Sequence, residues 1–314
     1  MAFQIPKITY TGKIKEVQLG KGPKAVTVGG ETSYPFHLFE GEMAHPPRIA
    51  MEVYDSPPEE WAEAALEPFK EVASDPVAWA KKCVEAYGAE MITLQLVSTD
   101  PNGLNRSSGE AAQTAKSVAA AVDVPVIVWG SGNTDKDSEV LRKVAEICDG
   151  MNLILGPVVE GNYKQVGAGA IGYKHVAVAS SPIDINLAKQ LNILLGNLGV
   201  PDGQILVDPT TGALGYGLEY TYSVMERDRM AALTQQDERL QFPILCNLAK
   251  EVWKTKEAKL GAEAPLLGDA KKRGILMEAI TAVTLLLAGA DILVMRHPDA
   301  IKLVREMIAE LIAK

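Results

Sequence analysis

Residues 91–129 read MITLQLVSTDPNGLNRSSGEAAQTAKSVAAAVDVPVIVW, and this stretch decides the fold. It opens with a short apolar run (91–97), continues through a polar loop into a pattern of helical spacing (107–122), and ends in a second apolar run (125–129). Neither apolar run alternates with polar residues, which is typical of parallel strands that are buried on both faces. The stretch therefore predicts a strand, a crossover helix and a second parallel strand.

The same unit recurs along the chain after residue 47. The predicted strands cover residues 48–53, 91–97, 125–129, 152–155, 175–179, 204–207, 242–245 and 291–295. The predicted helices cover residues 76–87, 107–122, 136–147, 163–171, 185–198, 218–233, 270–287 and 298–313. Strict alternation of eight strands with eight helices predicts an α/β fold, a (β/α)8 TIM barrel. An open, doubly wound sheet is the alternative, because alternation alone does not prove that the sheet closes.

The first 47 residues do not follow this alternation. Two predicted strands, 13–19 and 25–28, flank Gly20-Lys21-Gly22-Pro23, which predicts a β-hairpin. We expect this hairpin to plug or flank the N-terminal end of the barrel. The domain organisation is therefore an N-terminal hairpin extension (1–47) followed by a single TIM-barrel domain (48–314).

Composition excludes several classes of protein. The chain of 314 residues has 31 basic and 40 acidic residues, a net charge of −9, so it lacks the basic surplus that a nucleic-acid partner requires. The start of the chain has no secretory signal, and polar residues interrupt the most membrane-like stretch, 276–295. We therefore expect a cytoplasmic protein without a membrane or nucleic-acid partner.

The three cysteines, Cys83, Cys148 and Cys246, are 65 and 98 residues apart, and this spacing forms no metal-binding motif. Each is interpreted as a packing residue in a reducing compartment. The sequence 167–172 matches the pattern GxGxxG, but it ends a predicted helix and leads into a strand, whereas a dinucleotide fingerprint must follow a strand and open a helix. Close helix packing is the better interpretation of these glycines.

In a TIM barrel, function belongs to the loops that follow the strands. Here these loops are rich in Ser, Thr, Asn, Gly and Pro, with His297 as the only histidine and no nucleophile placed beside a base. Such loops favour binding of a large ligand or partner over bond-breaking. The sixth loop carries three glycines near three tyrosines and could support a planar ligand, although a turn with a helix cap is an equal alternative. The long seventh loop (246–269) is either partner-facing or a solvated helical insertion.

Long stretches of this chain resemble the small, delta-type subunit of the corrinoid iron–sulfur protein of the acetyl-CoA synthase/CO dehydrogenase complex. The resemblance extends over nearly the whole chain. It rests on FQIPKITYTGKIKEVQLG (3–20), HPPRIAMEVYD (45–55), DPVAWAKKCVEAYGAEMI (75–92), STDPNG (98–103) and ILVDPTTGALGYGLEYTYSVMERDR (205–229). These are long matches in a fixed order.

The resemblance implies a TIM barrel paired one-to-one with a large corrinoid iron–sulfur subunit. That partner carries the [4Fe–4S] cluster and a corrinoid (cobalamin), and the corrinoid lies between it and the C-terminal mouth of this barrel. A separate methyltetrahydrofolate:corrinoid methyltransferase supplies a methyl group, which passes to acetyl-CoA synthase/CO dehydrogenase in the reductive acetyl-CoA (Wood–Ljungdahl) pathway of carbon fixation. The DxHxxG motif that anchors cobalt in many corrinoid proteins is missing. The implied role is that of a non-catalytic subunit, with no catalytic residue and no metal ligand of its own.

The corrinoid contact is expected in the sixth loop, at Thr210, Thr211 and Gly212, supported by Asp208 and Asn247. A rival function remains, because pterin-dependent corrinoid methyltransferase barrels are also similar and place Asp and Asn at strand ends. Asp208 and Asn247 look like those positions, and two further residues, Asp100 and Asn133, could complete a pterin-binding set. A barrel aldolase or lyase is a third alternative, but it requires a strand-end lysine or paired carboxylates, and neither is evident.

Overall fold

Parallel strands form the centre of the structure, a computed structural model that describes residues 4–261 and 263–313. Eight strands close into a barrel in the order β10-β3-β4-β5-β6-β7-β8-β9, and two more form a separate antiparallel pair. The strands are β1 (Val17–Leu19), β2 (Val26–Val28), β3 (Arg48–Tyr54), β4 (Met91–Gln95), β5 (Val126–Trp129), β6 (Ile154–Val158), β7 (Val176–Ser180), β8 (Ile205–Asp208), β9 (Ile244–Asn247) and β10 (Ala290–Met295). The closed barrel confirms the predicted fold and excludes the open sheet.

Helices surround the barrel, and local sequence signals set their ends. The helices are α1 (Glu63–Leu66), α2 (Pro76–Tyr87), α3 (Ser108–Ala121), α4 (Thr134–Ile147), α5 (Tyr163–Tyr173), α6 (Ile185–Leu198), α7 (Leu218–Thr234), α8 (Ala249–Trp253), α9 (Lys256–Lys259), α10 (Ala270–Ala288) and α11 (Pro298–Ile312). For example, the Asp75 side chain accepts hydrogen bonds from the first-turn amides of α2, and Gly88 ends that helix with φ of 61°.

The N-terminal hairpin plugs the bottom of the barrel. Val17 and Leu19 of β1 are fully buried and pack with the apolar side chains that fill the barrel interior. The Gly20 carbonyl accepts a hydrogen bond from Asn152 Nδ2 at 2.8 Å, and Asn152 lies just before β6, at its N-terminal end. The structure therefore confirms the predicted position of the hairpin.

A buried ion pair also stabilises the bottom of the barrel. Arg229 of α7 pairs with Asp291 of β10, and its guanidinium donates further hydrogen bonds to the carbonyls of Phe242 and Gly289. The Asp291 carboxylate also accepts from the backbone amide of Ile244 at 2.6 Å. These bonds connect α7, β9 and β10 beneath the barrel, and the buried guanidinium and carboxylate compensate each other.

Two motifs with alternative interpretations have structural roles. Gly167 of the GxGxxG pattern lies inside α5, where a side chain would come within 2.8 Å of Leu198 Cδ2 of α6, so the glycine allows close helix packing. The apolar stretch 276–295 is the end of α10 running into β10. Among the described residues, no helix is both long and apolar enough to cross a membrane.

Candidate functional site

Four strand ends converge at the C-terminal mouth of the barrel. Gln95, Trp129, Asp208 and Asn247 are the last residues of β4, β5, β8 and β9, respectively. Parallel strands in a closed barrel deliver their carboxyl ends to one face, so these four side chains lie around a common opening. All four line a central mouth cavity of about 160 Å³.

A hydrogen-bond network crosses the mouth. Gln95 Nε2 donates to Glu52 Oε1 at 3.0 Å and to Asn247 Oδ1 at 3.2 Å. Arg296, which follows β10, donates through Nε to Glu52 Oε2 at 2.7 Å. The network fixes the orientation of the Gln95 and Asn247 amides, since each is held by a partner on another strand.

The charge of Arg296 is neutralised inside the protein. Glu52 is fully buried and pairs with the guanidinium, which itself is only 2% exposed. The guanidinium also lies 3.6 Å from the centroid of the Trp61 ring and donates to Tyr54 Oη at 3.3 Å. The charge of Arg296 is neutralised by Glu52, and its guanidinium packs on the Trp61 ring. Arg296 therefore positions the network and is not available as a free cation for a ligand.

Asp208 is a buried titratable group at the centre of the mouth. Burial raises the pKa of Asp208 from 3.8 to about 6. Its carboxylate accepts from the Thr210 amide at 3.0 Å. The Ser180 hydroxyl lies close enough to Asp208 to oppose this rise in its pKa. Among the residues that the structure describes, neither Ser180 Oγ nor Thr211 Oγ1 makes a hydrogen bond of full geometry, so the mouth retains unused hydrogen-bonding capacity.

A larger apolar cleft of about 600 Å³ adjoins the central mouth cavity. The two share Trp129, Gly132, Asp208 and Thr210. The cleft extends outward over α6, and its lining is mostly apolar: Pro157, Val159, Pro182, Leu187, Leu191 and Leu194. The mouth therefore combines a small polar centre with a broad apolar shelf on one side.

A third cavity, of about 480 Å³, lies on the other side of the mouth. Its lining includes Tyr54, Trp61 and Asp100, and it meets the central mouth cavity at Lys250. Asp55 joins the loops that border it, because its carboxylate accepts hydrogen bonds from the amide and the hydroxyl of Ser98. Burial raises the pKa of Asp55, and these two bonds act in the opposite direction.

The predicted site residues divide into two groups. Asp208, Thr210, Thr211 and Asn247 come together around the central mouth cavity. The other three are placed elsewhere: Asp100 lines the 480 Å³ cavity, Asn133 is exposed and caps α4, and Gly212 is buried under the sixth loop.

The environment of Gly212 corrects the idea of a glycine platform. A Cβ atom at Gly212 would lie 2.6 Å from the backbone of Gly217, so Gly212 allows the sixth loop to fold on itself. Its amide donates to Thr221 Oγ1 at 2.8 Å, inside the protein. Trp129, which lines both the central mouth cavity and the apolar cleft, places an aromatic ring at the mouth.

Sequence reasoning missed the members of the network that lie within the strands. Gln95 and Glu52 were included in apolar runs, and Arg296 was placed in a loop without a role. The available signal was a polar residue at or near the carboxyl end of a buried strand, because such a side chain faces the barrel mouth. Asp208 and Asn247 were identified because they follow their predicted strands.

The seventh loop forms a helical insertion, α8 and α9, in agreement with one of the two predicted alternatives. It is not fully solvated, since Trp253 is 2% exposed and donates through Nε1 to Glu278 Oε2 at 2.9 Å. Burial raises the pKa of Glu278 to about 7. His297 stacks on Trp253 and caps α11, and burial lowers its pKa. His297 is therefore a structural residue.

The described residues contain no group of three His, Cys, Asp or Glu side chains that could hold a metal ion. Cys83, Cys148 and Cys246 are buried in the apolar core, as predicted. Burial raises the pKa of each thiol. All three cysteines therefore serve as packing residues.

The fold has relatives among solved structures. A dihydropteroate synthase from Xanthomonas albilineans, in complex with indole-2-carboxylic acid and 6-chloroguanine, superposes with a TM-score of 0.60 at 14% sequence identity, covering 95% of this chain and 100% of that chain. The enzyme from Thermus thermophilus, in complex with 6HMPPP, gives a TM-score of 0.54 at 16% identity, covering 88% and 96%. This similarity shows that the chain has the TIM-barrel fold, and it applies to the fold alone.

Sequence comparison is more specific. The model of the family described as CO dehydrogenase/acetyl-CoA synthase delta subunit matches residues 16–310. The acetyl-CoA decarbonylase/synthase complex subunit delta of Archaeoglobus fulgidus is 38% identical, over 97% of this chain and 70% of the relative. The corresponding subunit of Methanopyrus kandleri is 38% identical over 94% and 74%. The chain belongs to the CO dehydrogenase/acetyl-CoA synthase delta subunit family, which confirms the resemblance to the small corrinoid iron–sulfur subunit.

Proposed function

We propose that this chain is a binding subunit of the acetyl-CoA decarbonylase/synthase complex and that its barrel mouth covers a corrinoid carried mainly by a large iron–sulfur partner. In this role the chain works in the cytoplasm with that partner, a methyltetrahydrofolate:corrinoid methyltransferase and acetyl-CoA synthase/CO dehydrogenase. The corrinoid supplies the cobalt that carries the methyl group. The chain itself binds one face of the ligand and limits the access of water.

The chemistry of the mouth carries this proposal. The polar side chains around the central mouth cavity are amides, hydroxyls, the carboxyl groups of Asp208 and Glu251 and the ammonium of Lys250, and the nearby cation Arg296 is already paired with Glu52. No cysteine lies among the lining residues of the three mouth cavities, and the same is true of histidine, within the described part of the chain. Such a set donates and accepts hydrogen bonds but has no activated nucleophile.

The residues of the mouth fit one face of a corrinoid. The buried Ser180 and Thr211 hydroxyls, with their unused hydrogen-bonding capacity, can bond to amide groups on a ligand, and the apolar cleft beside them can accept a flat ring. The lining residues include no imidazole or thiolate to coordinate cobalt. They therefore fit a group whose metal is held from the other side.

Asn247→Trp tests the proposal, because the larger side chain fills the central mouth cavity of about 160 Å³. When the Asn247→Trp chain is combined with the large subunit, we expect the complex to retain at least about tenfold less corrinoid than the wild-type complex. Visible absorbance after gel filtration measures the corrinoid that is retained. Lys116→Trp is the matched control, since Lys116 is exposed on α3, away from the mouth. Equal corrinoid retention in both variants would refute the proposed cover.

One observation favours a second candidate function. Asp208, Asn247 and Gln95 together line one small cavity, in keeping with a pterin-dependent methyltransferase that binds methyltetrahydrofolate by itself. Isothermal titration calorimetry of the isolated chain with methyltetrahydrofolate distinguishes the corrinoid-covering function from the methyltransferase function. The cover function predicts no binding, whereas the methyltransferase predicts binding that Asn247→Trp abolishes and methylation of free cobalamin.

A further inference from the structure

The helical insertion and the first turn of α10 together, residues 250–273, differ in charge from the rest of the chain. Residues 250–273 carry seven basic and four acidic residues, a net charge of +3, whereas the remaining residues carry 24 basic and 36 acidic residues, a net charge of −12. The insertion borders the barrel mouth through Lys250, which lines two of its cavities. The positive excess comes from Lys271, Lys272 and Arg273 in the first turn of α10, since residues 250–269 carry four basic and four acidic residues. These basic groups lie beside the insertion at the edge of the functional end of an acidic protein.

Arg273 of α10 fixes the shape of the insertion. Its Nε donates to the Glu257 carbonyl at 2.6 Å, and its Nη1 donates to the Leu267 carbonyl at 3.2 Å. Nη2 donates to the carbonyl of Leu260. Because one guanidinium binds the end of α9 and the short 3-10 helix 265–267, the outer surface of the insertion is preorganised.

Exposed apolar side chains lie on the segments that this guanidinium connects. Leu266 is 99% exposed, and on α10 Leu276 and Ile280 are each about half exposed. They follow Arg273 by three and seven residues, so they lie on the same face of the helix. Tyr216 reaches the same place from the sixth loop, since its hydroxyl donates to Glu257 Oε2 at 2.8 Å.

Unpaired lysines border these apolar groups. Lys254 pairs with Glu251 and Lys271 pairs with Glu67. Within the part of the chain that the structure describes, Lys256, Lys259 and Lys272 are exposed and form no ion pair. We use the name insertion face for this surface, which comprises Tyr216, Lys256, Lys259, Leu266, Leu267, Lys272, Leu276 and Ile280.

We propose that the insertion face docks onto an acidic surface of another protein subunit of the complex, with its leucines at the centre of the contact. Apolar groups bordered by charge are typical of protein interfaces, and unpaired lysines favour a partner of opposite sign. Nucleic acid is a poor occupant, because the net charge of −12 outside the insertion repels it. The inference rests on the part of the proposed function that places this chain in a complex, and it does not depend on the corrinoid.

The test uses the full chain and the double variant Leu266→Asp/Lys272→Glu. Both side chains are exposed, so the barrel is expected to fold normally. The large corrinoid iron–sulfur subunit and the acetyl-CoA synthase/CO dehydrogenase subunits serve as probes, one at a time, with and without corrinoid. For one of these subunits, we expect the Kd of the double variant to exceed that of the wild type at least about tenfold. The Kd of the variant should also depend less on salt, because an ionic contact has been removed. Sedimentation at NaCl concentrations of about 50 and about 200 mM measures both effects.

The matched control is Lys116→Glu/Ile171→Asp, which makes the same kinds of change on α3 and α5 and should leave Kd unchanged. Carbodiimide cross-linking provides a second measurement, with Lys256, Lys259 or Lys272 expected to join to acidic residues of the partner. Cross-links only between two copies of this chain would overturn the proposal, as would equal Kd for the wild type and the insertion variant. If the wild-type chain binds none of these subunits, the proposed function of the chain in the complex is refuted as well as docking through the insertion face.

Discussion

At the scale of single residues, two of the carboxyl groups at the barrel mouth, those of Glu52 and Asp208, lie in contrasting environments. Glu52 is fully buried, but it is paired with Arg296 and bonded to Gln95, so its charge is compensated. Asp208 is 5% exposed and has no cation partner among the described residues; it accepts a hydrogen bond from the Thr210 amide. Burial of a carboxylate without a compensating charge lowers the stability of the folded protein, so ionised Asp208 is destabilising at the centre of the mouth.

Asp208→Asn should make the protein more stable at neutral pH. The folded-state pKa of about 6 exceeds the ordinary value of 3.8, so Asp208 contributes least to stability above pH 6, where the carboxylate is ionised in both states. The stability gained by the Asn variant over the wild type should be about 2 kcal/mol larger at pH 8 than near pH 4.5. Urea unfolding at the two pH values measures this difference.

Asp149→Asn is the control for that experiment, because Asp149 is exposed. It should change stability by less than about 0.5 kcal/mol at either pH. A gain from Asp208→Asn that does not change with pH would contradict an ionised, buried Asp208. If Asp208→Asn stabilises the protein, Asp208 fits the general pattern in which a binding residue is kept although it lowers stability.

At the scale of elements, the helical insertion depends on a contact with α10. Gly274 of α10 lies against the Trp253 ring of α8, where a Cβ atom would come within 2.5 Å of two ring carbons. The indole is held in turn by Glu278, which accepts from its Nε1 at 2.9 Å. One glycine therefore allows the insertion to pack closely on the barrel.

Gly274→Ala should displace the Trp253 ring and weaken its bond to Glu278. We expect a loss of about 1–3 kcal/mol in the free energy of unfolding, as is typical of overpacking, together with a shift of the Trp253 signal in 5-fluorotryptophan NMR. Gly172→Ala in α5 is the control, since its Cβ meets open space and the change should be neutral or stabilising by up to about 1 kcal/mol. Equal effects at the two glycines would contradict this packing.

The elements were predictable from sequence where local signals agree. Asp75 and Gly88 define α2 by their capping chemistry, and the apolar run that forms β4 identifies a buried strand. The network of the mouth was not predictable, because Gln95, Glu52 and Arg296 belong to three different strands or loops, and only barrel closure brings them together. Pairings at such separations in sequence depend on register, which local patterns do not encode.

At the scale of the whole molecule, the two ends of the barrel have opposite character. The bottom is closed by the hairpin, whose apolar side chains join the interior of the barrel, and by the buried Arg229–Asp291 pair. The mouth is open and carries cavities, hydroxyls with unused hydrogen-bonding capacity and the insertion. The bottom is thus closed by buried contacts, whereas the mouth and its loops present cavities and polar groups that can serve binding.

This arrangement predicts that the extension and the barrel unfold as one unit, which would support a single barrel domain with a structural plug. Leu19→Ala removes a fully buried side chain from the plug, so the free energy of unfolding should fall by about 2–4 kcal/mol. Because the plug packs with side chains of the barrel interior, far-UV circular dichroism and tryptophan fluorescence should report the same lowered urea midpoint with an unchanged slope.

Leu303→Ala on α11 is the control for this prediction, because that side chain is 41% exposed and its loss should cost less than about 1 kcal/mol. Hydrogen exchange shows whether the extension unfolds alone or together with the barrel. If Leu19→Ala speeds exchange only within residues 13–30 while the barrel strands keep their protection, the extension unfolds independently. Common loss of protection in β1 and in β4 would show that the hairpin belongs to the same cooperative unit as the barrel that presents the mouth.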